Sequence, residues 1–407
     1  MCKTRFSTLL VMLLIVAFLM ISTNSVYAYS ASPPPPDKQS QIDALLQQLK
    51  EATEREIANG EVESYDEYGV PVFTDAAAER LNTLHNEIAR KIDDIISRSP
   101  EERRGALAEI RRIDSSNVEY SHTSKMPYNT NLYVEVYNTS SRDYYIDARD
   151  DSILQFGPTS QAALGYDYTS KAVKEDLEQL AIEFIKSVAG NVDVDTLVPN
   201  HSDKSEMVFF FRWEDHSLKL ESGEYPFIVV GISSGGEIGS FTNTLNMYTV
   251  KSSSYRPLFV SGWKIYANGG DYWSKSGISH SIRNNDGWCY LWGGAWCTPK
   301  NFYYVQESAS VTYTGTWNNT DYYQYSDVWA FIPWINATAI CAEYKVRFYY
   351  GTYSDCVPQA WYSDEWADVL KLYNLYTVAY VRLTNKPAEG SVNPNRQFAF
   401  DEINIIY

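Results

Sequence analysis

The chain has 407 residues, with 34 Lys and Arg against 51 Asp and Glu, for a net charge of −17 at neutral pH. A surface that acidic excludes general binding to nucleic acid or to an anionic membrane, because neutralising phosphate needs clustered cations. Hydrophobic residues make up 44% and charged residues 21%, which excludes wholesale disorder and fibrous repeats and leaves a globular chain of two or three domains.

At the start of the chain Lys3 and Arg5 precede an apolar run from Leu9 to Ile21, and Val26-Tyr27-Ala28 suits signal peptidase. The run is too short to span a bilayer, so residues 1–28 read as a cleaved signal peptide and the mature chain as secreted, with no membrane span. Export sets the redox compartment. The mature cysteines are Cys289, Cys297, Cys341 and Cys356, an even set from which two disulfides are expected. Of the three possible pairings the local one, Cys289 with Cys297 and Cys341 with Cys356, is preferred because short loops close most easily.

Residues 29–98 begin as an extended linker with four prolines from Pro33 to Pro36, then turn helical. Ile42, Leu45, Leu46, Leu49 and Ala52 share one face, and the run stops at Asn59-Gly60. Leu81, Leu84, Ile88, Ile92 and Ile95 repeat the pattern, with His85 and Arg90 expected outward. Ser99-Pro100-Glu101-Glu102 is a capping box that opens a third helix. The expectation is a helical arm over 38–113 with no chemistry in it.

From Ser116 the period changes to two. Leu132, Val134 and Val136 alternate with polar or aromatic partners, and strands over 145–147 and 153–156 flank a turn at Asp150-Asp151. A helix follows, with Val173, Leu177, Leu180, Ala181, Phe184 and Val188 as its apolar stripe and Gly190-Asn191 at its end. Strands recur at 207–213, 225–232 and 237–241. Asp147 to Phe156 and Ile232 to Phe241 share a turn followed by Ile-x-x-Phe, so the region reads as two helix-plus-sheet units. A helix, three or four antiparallel strands and this closing motif resemble the PepSY family, over about 100–245. The first copy has Asp150-Asp151 where that family usually has a turn glycine; the second has Gly235-Gly236. The resemblance implies a non-catalytic α+β module over 99–250, of a kind thought to regulate peptidases, and assigns no residue a role.

Ten of the 11 Trp and 18 of the 33 Tyr lie after position 260, among many short alternating segments, which argues for an antiparallel β-sandwich over 258–407. Six motifs follow one another there: Tyr313-Thr314-Gly315-Thr316-Trp317; Ala330-Phe331-Ile332-Pro333; Ala342-Glu343-Tyr344-Lys345-Val346; Gln359 with Trp366 and Leu370; Val381-Arg382-Leu383; and Ala399-Phe400-Asp401-Glu402-Ile403. In this order they resemble the golvesin C-terminal, or Xly, carbohydrate-binding-like domain. The chain departs from that pattern in having Lys371 where a glycine usually follows, and in its cysteine bracket from 341 to 356.

Catalytic signals are sparse. Gly231-Ile232-Ser233-Ser234-Gly235 fits the nucleophile elbow of α/β hydrolases, but the elbow needs a strand-to-helix turn, and here a second strand is expected after the glycines. The five His have no ligand spacing, and no cofactor or metal site is expected. Asp364-Glu365 and Asp401-Glu402 pair carboxylates, as glycosidases do, yet neighbours on a strand point to opposite faces. The sharper signal is Trp288, Trp292 and Trp296, every fourth residue in a glycine-rich stretch, which read either as a stacking platform or as a plug over the sandwich. Trp361 and Trp366 are further ligand candidates whose alternative is the core, and Gln359 is carried by the motif alone. The fold expected is a helical arm, an α+β middle and an all-β C-terminal sandwich. The expected function is non-catalytic binding of an extracellular glycan or cell-envelope polymer; the alternative is regulation of a secreted peptidase through the PepSY-like part.

Overall fold

A computed structural model of the chain describes residues 36–407, except 67–68, 70, 221–224, 249–262, 267–272, 277–280, 284–300, 307–313, 319–326, 349–350, 371–377, 388–395, 401–402 and 407. The signal-like segment, Trp288, Trp292 and Trp296, and the proposed Cys289–Cys297 pair lie outside the described residues. The fold is mixed α and β, with antiparallel sheets dominant.

Two helices, α1 (Pro36–Ala58) and α2 (Asp75–Ile96), join through Ile42, Leu49, Ile88, Ala89, Ile92 and Ile96. Between them the expected helix is replaced by a hairpin, β1 (Val62–Tyr65) and β2 (Pro71–Phe73). Gly60 has φ of 78°, so the chain leaves α1 through a left-handed residue that only glycine adopts cheaply. His85 is buried in α2 and does not point outward as expected; desolvation lowers its imidazole to about 4. The capping box forms: the Ser99 amide donates to Glu102 at 2.8 Å, and the Glu102 amide donates back to Ser99 Oγ at 3.4 Å. It closes a turn just before α3 (Arg104–Ile113).

The middle of the chain supplies β3 (Glu119–Met126), β4 (Asn129–Asn138), β5 (Arg142–Asp147) and β6 (Ile153–Pro158). Then come α4 (Ser160–Gly165), α5 (Lys174–Val188), β7 (Val198–Pro199), β8 (Ser202–Lys204), β9 (Val208–Glu214), β10 (Phe227–Ser233) and β11 (Ile238–Asn243). They form one nine-stranded sheet in the order β3-β4-β5-β6-β11-β10-β9-β7, with β8 also pairing to β9. The two helix-plus-sheet units expected from the repeat are therefore fused through their last strands. All seven residues of β10 are buried, which requires cover on both faces. Ile228, Val230 and Ile232 pack under Ala106 and Ile110 of α3 and Leu177, Ala181 and Ile185 of α5. Phe227 and Val229 face the other way, into the C-terminal region.

The arm is tied to this sheet by charge. Arg98 makes a two-pronged pair with the fully buried Glu135, at 2.8 and 2.6 Å, and reaches Asp151 at 2.8 Å. Asp93 accepts hydrogen bonds from the Tyr120 hydroxyl at 2.8 Å and the Thr123 amide at 3.1 Å, so a carboxylate caps the outer edge of β3.

The C-terminal strands are β12 (Trp263–Tyr266), β13 (Trp273–Ser276), β14 (Ser281–Arg283), β15 (Asn301–Gln306), β16 (Thr314–Asn318), β17 (Asp327–Ile332), β18 (Ala342–Phe348), β19 (Gly351–Val357), β20 (Glu365–Asp368), β21 (Val378–Pro387), β22 (Gln397–Phe400) and β23 (Ile403–Ile406). They make antiparallel sheets of order β12-β23-β17-β20, β13-β16-β21-β18-β19 and β14-β15-β22. Cys341 and Cys356 are joined across the β18–β19 hairpin, as the local pairing requires. Val328, Trp329, Phe331 and Trp366 share one apolar cluster with Tyr128, Val134, Tyr145 and Val229 of the nine-stranded sheet. No helix among the described residues is long and apolar enough to cross a membrane.

Candidate functional site

Ser233 ends β10 and is fully buried, and the chain turns directly into β11. Its hydroxyl donates to the Glu237 carboxylate and its amide donates to the Glu237 carbonyl at 2.9 Å. This is a hairpin turn, not a nucleophile elbow. Among the described residues no three His, Cys, Asp or Glu converge where a metal could sit. His122 is buried and held down to about 4 by desolvation, so it is neutral at physiological pH.

Gln359, Trp361 and Trp366, the sequence-derived ligand contacts, are at most 1% exposed and do not offer a face to a ligand. The reason is their place in the fold: a 3₁₀ turn over 359–361 and the strand β20 pack directly on the nine-stranded sheet. The Gln359 amide is fully used, donating to the Tyr344 hydroxyl and the Ala399 carbonyl, each at 2.9 Å, and accepting the Ala399 amide at 3.0 Å. Trp361 donates from Nε1 to the Tyr168 hydroxyl at 2.9 Å and lies against the Tyr166 ring. Its indole occupies the space over Gly239, where any Cβ would overlap it. The Trp366 amide donates to the Tyr128 hydroxyl at 3.1 Å, and its carbonyl accepts Gln155 Nε2 at 2.9 Å. These residues dock one half of the chain on the other.

Buried charge concentrates at the same junction. Lys204, on β8, donates from Nζ to the carbonyls of Gln359 at 2.8 Å and Ala337 at 3.2 Å. Burial lowers it to about 7, against the pull of Asp364 and Glu365. Burial pushes the Glu365 carboxyl up to about 7, while hydrogen bonds from Thr242 and the Ser363 amide work the other way. A second pair, Lys125 and Asp327, sits where the Lys125 amide donates to Asp327 Oδ2 at 3.1 Å; desolvation moves the lysine down to about 8 and the acid up to about 6. Lys204 and Glu365 are 2% and 1% exposed, so neither presents its charge to solvent. Both pairs join the nine-stranded sheet to the C-terminal region.

One indole stands apart. Six tryptophans have described side chains, and five of them are at most 4% exposed, whereas Trp334 is 38% exposed. It lies in the loop between β17 and β18, and its amide donates to Asp364 Oδ1 at 3.0 Å. Two non-glycine residues in left-handed conformation flank it, Asn336 with φ of 57° and Asp364 with φ of 52°. The sequence reading missed Trp334. Its local signal is small: a proline before it and, two residues later, an asparagine, the residue that best tolerates positive φ after glycine.

No protein-family model matches the chain, and no curated protein matches it. Solved structures resemble it distantly. A Paenibacillus xanthan lyase is 11% identical with a TM-score of 0.27, over 71% of this chain and 25% of the lyase. An exo-β-1,3-galactanase from Phanerochaete chrysosporium is 12% identical with a TM-score of 0.23, over 72% of this chain and 68% of the galactanase. A carbohydrate-binding module of the β-sandwich superfamily is 8% identical with a TM-score of 0.17, over 52% of this chain and 95% of the module. The chain thus spans a quarter of the length of the xanthan lyase. Likeness at this level assigns no activity.

Proposed function

We propose that the chain is exported after Ala28 and acts as a non-catalytic binding protein. On this reading the C-terminal region is a golvesin-like β-sandwich that engages an extracellular glycan or cell-envelope polymer, and the PepSY-like middle is its platform. The observation that carries the proposal is the covering of the nine-stranded sheet on both faces, by α3 and α5 on one and by the C-terminal strands on the other. A peptidase has no open sheet face to grip there. That weakens the alternative of a peptidase regulator and leaves the tryptophan-rich C-terminal region as the part with a surface to offer. Reactive groups favour the same reading: Ser233, Lys204 and Glu365 are all locked in internal hydrogen bonds.

The test is sedimentation of the mature chain with insoluble cellulose, chitin, peptidoglycan and xylan, with release of reducing ends measured in parallel. Retention without release supports the proposal. Turnover of any of the four, or retention of none, overturns it. Trp292→Ala then reports whether the segment around Cys289 takes part.

A further inference from the structure

The loop that carries Trp334 is anchored far more tightly than a surface loop requires. The Trp334 amide is held by Asp364, the Ala337 carbonyl by the buried Lys204, and the amides of Thr338 and Ala339 both donate to the Gln397 carbonyl, at 2.9 and 3.0 Å. Thr338 Oγ1 accepts the Gln397 amide at 2.8 Å in return, and the Ala339 carbonyl accepts the Ala360 amide at 3.0 Å. Residues 337–340 are buried. Left-handed backbone at Asn336 and Asp364 persists because these anchors over-determine it. The result is one large aromatic side chain set on a strained, well-anchored corner with 38% of its surface in solvent.

An exposed indole is costly to keep when every other described tryptophan is buried, and a pre-formed platform loses little entropy when a ring stacks on it. Resting on the binding function proposed above, we infer that Trp334 is a sugar-stacking subsite. The charge around it sets the class of glycan. Asp364 holds the Trp334 amide, and Asp203 is exposed on the hairpin whose Lys204 anchors the loop, in a chain of net charge −17. Like charge repels a polyanion, so the ligand is a neutral glycan or one bearing amino groups.

Calorimetric titration of the mature chain with cellohexaose, xylohexaose, chitosan hexamer and xanthan tests this. Trp334→Ala is expected to weaken binding of at least one hexamer by about tenfold or more with the melting temperature unchanged, and Trp334→Phe to retain most of the affinity. If the wild-type chain binds a hexamer and Trp334→Ala binds it equally well, the subsite is wrong while the binding function stands. If Trp334→Ala lowers the melting temperature as a core deletion would, the indole is structural and the subsite is also wrong. Tighter binding of xanthan than of the hexamers overturns the charge class. No binding of any of them by a chain that sediments with one of the four polymers overturns the subsite alone, and failure in both assays overturns the binding function as well.

Discussion

Phe156 and Phe241 sit directly opposite each other across the β6–β11 pair, their rings stacked at 5.7 Å with planes 24° apart. They are also the matching last residues of the two Ile-x-x-Phe motifs. Antiparallel pairing of equivalent residues means that a local twofold axis passes between the two rings, and Phe184 of α5 packs edge-on to both, at 5.9 and 5.8 Å. The three rings form the centre of the apolar layer beneath the helices. Phe241→Ala is expected to cost about 3–5 kcal/mol of stability, as for a buried aromatic truncated in a core. Combined with Phe156→Ala the cost should fall short of the sum, because the two rings share one contact. Urea unfolding of the three variants measures both numbers.

Asp151, with φ of 64°, and Gly236, with φ of 95°, stand at the same offset in the two turns, five residues before Phe156 and Phe241. An L-residue in that region is strained by roughly 1–2 kcal/mol, less for Asp. Here Asp151 earns its place through Arg98, which it meets at 2.8 Å, and by lying over Gly105 at the N-terminal end of α3, where a carboxylate is favoured. Asp151→Ala should therefore be worse than Asp151→Gly, since alanine loses the ion pair and keeps the strain. Equal stability of the two variants in thermal melts would show that the strain is negligible.

Closing a 15-residue loop through Cys341 and Cys356 stabilises the chain by about 3 kcal/mol in the chain-entropy model. Replacing both cysteines with serine is expected to lower the melting temperature accordingly, with the fold retained. Thiol titration of the denatured mature protein should find neither cysteine free.

The Glu365 carboxyl is raised to about 7 in the folded chain from an ordinary 4.5. The folded state thus holds this proton more tightly than the unfolded state does, so the group's contribution to stability is full below the ordinary value and is lost as pH rises through about 7. Glu365→Gln has no proton to lose. The variant should gain on the wild-type chain between about pH 5 and about pH 8, and a pH-independent difference in melting temperature would disprove the shift.

Periodicity and turn chemistry made much of the middle region legible, because Leu132, Val134 and Val136 alternate along β4 and the two turns repeat. What the repeat could not show was that its two copies pair through Phe156 and Phe241, since an offset in sequence carries no register in space. The β1–β2 hairpin was invisible for a local reason: strands of four and three residues are too short to display a period. Trp361 and Trp366 looked like binding residues because tryptophan serves both roles, and the burial of Trp361 depends on Gly239, far away in sequence, where any Cβ would overlap its indole. Trp334 was overlooked for the converse reason. Nothing in a single sequence distinguishes one exposed indole from five buried ones.

The common apolar layer between the nine-stranded sheet and the C-terminal strands has a consequence for any attempt to take the molecule apart. A protease that cuts the connecting stretch after Met247 should yield two fragments that migrate together on a sizing column and separate only in denaturant, held by the Lys204 anchor and the Tyr145–Asp368 and Gln155–Trp366 hydrogen bonds. Expressed separately, each fragment would present an uncovered wall of aromatic and branched side chains to water, and precipitation is the expected fate of both.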